Sequence, residues 1–304
     1  MRAPRLLAAL LSLAAIPSGH AIVIYGGTGV ENATAPANDP GWAHVGSIGG
    51  ATGVYLGSFG GVPWALTAAH VGAGTLQLDS GSFAAAGAAV VIRNPDGSAT
   101  DLAAFPLTTA PLLPNLSLAG TAPAANSTVL LMGTGSRETG ALRYWSVAVD
   151  PTGPGSADTW TELPNATGAN RAGHTLGAGG KRWGEALYTS TFDYTLGSAT
   201  QTGVATRLEA IVGSAQAAGG DSGGAIFFHN GTSWGLLGII SAVGTLENQP
   251  ANTAVTFNQT LGVSIPEYRT ALLAAIPEPG HYALGAGTLS LLAVLWHRRR
   301  QPRR

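Results

Sequence analysis

Gly219-Gly220-Asp221-Ser222-Gly223-Gly224 is the stretch on which the reading of this chain turns. A serine between glycines sits where the backbone can fold tightly and leave a hydroxyl uncovered, and the full string is far rarer than a single glycine-flanked turn. A serine hydroxyl is a weak nucleophile near neutral pH unless an imidazole takes its proton and a carboxylate fixes the imidazole's tautomer. Upstream, Leu66-Thr67-Ala68-Ala69-His70 ends an apolar, strand-like run on a histidine, and Thr100-Asp101-Leu102-Ala103 supplies a carboxylate ahead of a second apolar run. Asp96 is the competing acid, but Asn94-Pro95-Asp96-Gly97 reads as a turn.

These segments, in the order His70, Asp101, Ser222, resemble the chymotrypsin-like (trypsin-fold) serine endopeptidases of secreted bacterial type. The resemblance covers Ile22 to about Ile276, with the stretch from Gly135 to Ala210 aligning poorly. It implies an all-β fold of two six-stranded antiparallel Greek-key barrels closed by a C-terminal helix. It further implies His70, Asp101 and Ser222 as catalytic residues and the N–H groups of Gly220 and Ser222 as oxyanion hole. By ungapped counting from Ser222, Gln216 falls at the floor of the substrate pocket, while Ser241-Ala242-Val243-Gly244 resembles the strand beside the substrate, making Ser241 and Val243 pocket residues. A neutral floor disfavours a buried Arg or Lys. In the family the acid before the nucleophile pairs with a buried new N-terminus, which assigns Asp221 to Ile22. Here Ile22-Val23-Ile24-Tyr25-Gly26-Gly27 is looser than the family's Ile-Val-Gly-Gly, and no basic residue precedes Ile22.

Both ends carry address signals. Residues 1–21 combine Arg2 and Arg5, an apolar run from Leu6 to Ile16 and small residues up to Ala21, the pattern of a signal removed by signal peptidase. Residues 277–304 run from Pro277-Glu278-Pro279 through an apolar stretch, Tyr282 to Trp296, into an arginine-rich end. That segment resembles the PEP-CTERM sorting signal of Gram-negative bacteria, which an exosortase removes; a run this short suits transient membrane association better than a lasting anchor. The expectation is therefore an exported protein at the cell surface or in the extracellular matrix.

Composition bounds the remaining 22–276 segment. Without its ends the chain holds 8 basic and 15 acidic residues, a net charge of about −7, which argues against nucleic acid as a partner; the resemblance implies a protein or peptide substrate. There is no cysteine, so no disulfide is expected, and metal-ligand spacing is lacking, so neither metal nor cofactor is expected. Short β-rich runs at Gly53 to Phe59, Pro63 to Ala68, Ala88 to Arg93, Thr128 to Met132, Leu142 to Val149 and Trp234 to Val243 suggest a sandwich or barrel. Pro151 to Gly180 reads as loop, and Lys181-Arg182-Trp183-Gly184-Glu185 as a charged–aromatic anchor or a substrate-facing rim. Ser264-Ile265-Pro266-Glu267 predicts a capping box before a helix over Tyr268 to Ala275.

Two other readings fail on context. Gly220-x-Ser222-x-Gly224 matches an α/β-hydrolase elbow, but that fold needs its histidine well after the serine, and His229 follows too closely. Ile22 to Val30 resembles a nucleotide-binding turn, yet no helical pattern follows. A catalytically silent trypsin-fold surface binding module is the rival from another class, and retention of both His70 and Ser222 weighs against it.

Overall fold

The computed structural model describes residues 22–149 and 158–276. The signal and sorting segments therefore lie outside the described residues, as does the start of the Pro151 to Gly180 stretch.

The first lobe is a seven-stranded antiparallel sheet built from β2 (Val45–Ile48), β3 (Ala51–Phe59), β4 (Val62–Ala68), β5 (Leu76–Leu78), β6 (Gly81–Phe83), β7 (Val90–Arg93) and β8 (Ala99–Pro106). Its spatial order is β6-β5-β2-β3-β4-β8-β7. The second lobe is a closed six-stranded barrel of β9 (Thr128–Gly133), β13 (Arg182–Leu196), β14 (Ala199–Arg207), β16 (Ala225–His229), β17 (Trp234–Gly244) and β19 (Gln259–Ser264). One helix, α1 (Ile265–Ala275), follows. This is the all-β, two-lobe architecture expected of a trypsin-like fold, with six strands closing in the second lobe and seven, one more than expected, in the first; the expected strands are recovered to within a few residues, and Leu142 to Val149 covers the later part of a longer strand, β10 (Arg137–Ala148).

Alternation along the strands explains how the lobes join. In β4, Trp64 and Leu66 enter one apolar cluster and Ala65 another; in β8, Leu102 and Ala104 share the first cluster and Phe105 the second. Successive strand side chains point to opposite faces, so a strand covered on both sides reads as a continuous apolar run. The same division operates in β9, where Leu130 and Met132 join the first cluster while Val129 and Leu131 face the barrel cluster with Val204, Ile226 and Leu237. The first cluster thus contains residues of both lobes and of α1 (Tyr268, Leu272), and it is the seam of the molecule.

Two expectations are corrected. Pro151 to Gly180 is not loop throughout: β11 (Thr159–Leu163) and β12 (Arg171–Gly177) pair with β10, and β18 (Thr253–Val255) completes a four-stranded sheet in the order β11-β10-β12-β18. The pattern is hidden because β11 is largely solvent-facing and polar and a Pro164-Asn165 turn interrupts it. At the helix start, Ser264 is the N-cap but makes no side-chain capping bond. It is also the last residue of β19, paired with Gly238 and buried.

Phe227 has no exposed surface and belongs to the seam cluster. Replacing it with alanine is expected to cost about 3–5 kcal/mol, read as a lower urea midpoint with an unchanged slope.

Candidate active site

His70 lies two residues beyond β4, beside β8. The Ala69 N–H donates to the Asp101 carbonyl at 3.0 Å, and the His70 N–H donates to Asp101 Oδ1 at 2.9 Å. His70 Nδ1 stands 3.0 Å from Asp101 Oδ1 and 2.8 Å from Oδ2. A carboxylate can only accept, so Nδ1 carries the proton and Nε2 is left as the ring's acceptor. Asp101 is buried while the His70 side chain is 45% exposed. Asp96, the competing acid, is exposed and accepts from the Ser98 N–H and hydroxyl within its own turn; those Ser98 bonds hold its carboxyl below the ordinary range.

Two further groups hold Asp101. Ser241 Oγ donates to Asp101 Oδ2 at 2.6 Å, and the Asp101 N–H donates to Gln201 Oε1 at 3.0 Å. Ser241 was expected in the substrate pocket; its hydroxyl is committed to the carboxylate, and it lines a cavity of about 610 Å³ with His70, Asp101, Val91 and Leu196.

Ser222 comes from the other lobe, on the loop between β15 (Ala215–Gln216) and β16. The loop is closed by Asp221 N–H to Ala218 O (3.0 Å) and Gly224 N–H to Asp221 O (2.8 Å). Gly220 and Gly223 hold φ of +91° and +86°, and a Cβ on Gly223 would lie 2.0 Å from Thr52 O. Ser222, Gly220 and His70 line one cleft of about 720 Å³. Ser222 and His70 make no direct hydrogen bond; they meet as neighbours in the lining of this cleft. Neither the Gly220 N–H nor the Ser222 N–H has an acceptor among the described residues. The Gly220 carbonyl is held by Thr52 Oγ1 at 2.9 Å, and the Ser222 carbonyl by the Thr52 N–H at 2.9 Å.

Below the loop, Asp221 is fully buried and accepts three backbone N–H groups: Gly135 at 2.8 Å, Ala218 at 2.8 Å and Ile22 at 3.3 Å. Burial pushes its carboxyl up to about 7, against the pull of those bonds and of Arg182. A Cβ at Gly133 would sit 2.1 Å from Asp221 Oδ1, and one at Gly135 2.5 Å from the Asp221 nitrogen. The Gly133-Thr134-Gly135 floor under Asp221 is absent from the sequence expectations; paired glycines at a strand end were the available signal of close backbone approach.

Gln216 is buried in β15 opposite Val23 of β1 (Val23–Ile24). Its Nε2 donates to Ala217 O at 3.2 Å and its Oε1 has no partner. Val243 packs on the barrel cluster. Neither lines the two cavities beside His70. Among the described residues there is no cluster of three potential metal ligands, and no helix is long and apolar enough to cross a membrane.

No protein-family model and no curated protein sequence matches the chain significantly. Solved structures that resemble it include the Rv3671c protease of M. tuberculosis in its inactive form, at 17% identity over 74% of this chain and 83% of that one with a TM-score of 0.41. A mutant of human heparin binding protein (CAP37) is 13% identical over 82% of this chain and 97% of that one, TM-score 0.47. An HtrA-type protease, AlgW, with a decapeptide, is 16% identical over 74% of this chain and 50% of that one, TM-score 0.40. At such identities and scores, none of these likenesses assigns a role to a residue of this chain.

Proposed function

We propose that this protein is an exported serine endopeptidase that cleaves peptide bonds through Ser222, His70 and Asp101. The observation that carries the reading is the meeting, in one cleft, of a carboxylate-held imidazole from one lobe and Ser222, flanked by two uncommitted N–H groups, from the other. Ser222 Oγ attacks the scissile carbonyl carbon as His70 Nε2 takes its proton. Asp101 stabilises the imidazolium, and the N–H groups of Gly220 and Ser222 bind the developing oxyanion. The carbon–nitrogen bond then breaks as His70 returns the proton to the departing amine. Water, activated by the same imidazole, attacks the acyl-enzyme and releases the acid. Removal of residues 1–21 by signal peptidase and of the 277–304 tail by an exosortase, with delivery to the cell surface or matrix, belongs to the same proposal.

Labelling with a fluorophosphonate probe tests the nucleophile. The parent is expected to label, and Ser222→Ala and His70→Ala each to abolish labelling; well-folded parent that does not label would favour the silent binding module.

Ile22 supports a second test. Its nitrogen faces Asp221 in a buried site, and its φ of +55° is costly for a β-branched residue. Cleavage before Ile22 removes that steric cost and puts an ammonium beside the carboxylate. The loop needs Asp221 ionised, and its folded value near 7 lies above the ordinary 3.8. Stability due to the protonated acid is therefore full below about pH 4 and lost as pH rises through about 7. The urea midpoint of uncut chain is expected to fall along a limb that ends near pH 7, and cleavage before Ile22 to move that limb at least one pH unit lower. An unmoved limb, or N-terminal sequencing that starts well past Ile22, removes the pairing.

The cleft beside Ser222 is lined by no acidic side chain, so small or medium uncharged side chains are expected before the cleaved bond. A peptide-library profile dominated by Arg or Lys would contradict it.

A further inference from the structure

Glu138 and Arg182 form a bidentate pair with no solvent exposure, Nη1 to Oε2 and Nη2 to Oε1 both at 2.9 Å. Neither belongs to the catalytic cleft. Their remaining bonding capacity is directed at one target, the first described segment of the chain. Glu138 Oε2 also accepts the Ile24 N–H at 3.0 Å, and Oε1 the Gly29 N–H at 3.1 Å. Arg182 Nε donates to the Glu31 carbonyl at 2.7 Å. Around this pair, His174 Nε2 accepts the Gly26 N–H at 3.0 Å and Arg137 Nη1 donates to Gly29 O at 2.6 Å.

The segment is shaped to match. A Cβ on Gly27 would lie 2.4 Å from Glu138 Oε1, and Gly29 has φ of +88° with its would-be Cβ 2.7 Å from the Glu138 carbonyl. Only glycines let the backbone come this near a carboxylate that Arg182 already pins. This accounts for the extended glycine run Gly26-Gly27-Thr28-Gly29 that follows Ile22 to Tyr25.

We infer that Glu138 and Arg182 are positioning residues: a buried ionic socket that captures residues 22–31 and so delivers the Ile22 nitrogen to Asp221 beneath the oxyanion-hole loop. When the segment is docked, the carboxylate has four donors, two from Arg182 and two from the segment. When it leaves, the buried pair loses half of the donors on Glu138 and the carbonyl on Arg182, a costly state for charges out of water. Docking of 22–31 and ordering of the Asp221 loop are therefore coupled, and Arg182 adds its charge to those acting on Asp221. The inference extends the proposed serine chemistry, and its geometric half can be read without any activity.

The test uses full-length protein as parent, Glu138→Gln and Gly27→Ala, the second leaving both charges in place. Amide hydrogen exchange is followed over residues 22–31, over 217–223, and over β4 and β8, together with the rate of fluorophosphonate labelling. Both variants are expected to exchange at least tenfold faster in 22–31 and 217–223 with β4 and β8 unchanged, and to label at least tenfold more slowly. Faster exchange in 22–31 with undiminished labelling of an active parent would overturn the inference, as would slower labelling with 22–31 still protected. Loss of protection throughout both variants would also overturn it, because the pair would then be a general stabiliser of the core. If the parent does not label while 22–31 and 217–223 still loosen together, the socket stands and the protease reading fails.

Discussion

The buried carboxylate of Asp221 is the constraint around which the second lobe is arranged. A charge removed from water must be compensated locally, and Asp221 is compensated almost wholly by backbone: the N–H groups of Gly135, Ala218 and Ile22. Each donor fixes a different stretch of chain. Gly135 brings the end of β9 under the loop, Ala218 curls the approach to Ser222, and Ile22 draws in the strand that pairs with Ala215 and Gln216. Space for the carboxylate is made by the absence of a side chain at Gly133. The N–H groups of Gly220 and Ser222 stay uncommitted in this arrangement, while the carbonyls of Ala218, Gly219, Gly220, Asp221 and Ser222 all accept hydrogen bonds.

Ser222 and His70 belong to different lobes, so their alignment depends on contacts across the seam. Thr52 provides two of them, holding the Ser222 carbonyl with its N–H and the Gly220 carbonyl with its hydroxyl, while its own carbonyl accepts from Thr67 Oγ1 on β4. Since β4 leads directly to His70, one residue connects the serine loop to the strand carrying the imidazole. Ser241 makes the reciprocal contact, from the barrel to Asp101. The apolar seam supplies burial, and these polar contacts supply register.

The parts legible in the sequence were those whose chemistry is local. Ser222 among glycines, His70 at the end of an apolar run and Asp101 ahead of another could be named without knowing what they touch. Strands covered on both faces, such as β4 and β8, could be read as apolar runs. Residues acting through distant partners were not legible. Thr52 is an ordinary strand threonine until the Ser222 loop meets it, and the role of Ser241 depends on a carboxylate 140 positions away. β11 was missed because it is largely solvent-facing and polar, and β12 because Gly173, His174 and Thr175 replace an apolar alternation although its middle is buried. The capping box expected at Ser264 is not formed: Ser264 is the buried last residue of β19, paired with Gly238, and its side chain makes no capping bond.

Charge economy gives the site and its support a common signature. Only 10% of the residues are charged, so the chain is solvated chiefly by hydroxyls and amides. Among the described residues, the buried Asp, Glu, Lys and Arg side chains are Asp101, Glu138, Arg182 and Asp221. A fold of this composition could have closed its core with apolar side chains alone, and a buried ion pair is weak evidence of stabilisation in itself. The four charges are instead concentrated where orientation matters: Asp101 on the imidazole, Asp221 under the serine loop, and Glu138 with Arg182 around the segment that reaches Asp221. Each fixes backbone or ring geometry through several donors or acceptors at once, which an apolar side chain cannot do. In a chain this sparing of charge, burial of a charge marks the positions where direction, more than stability, is being set.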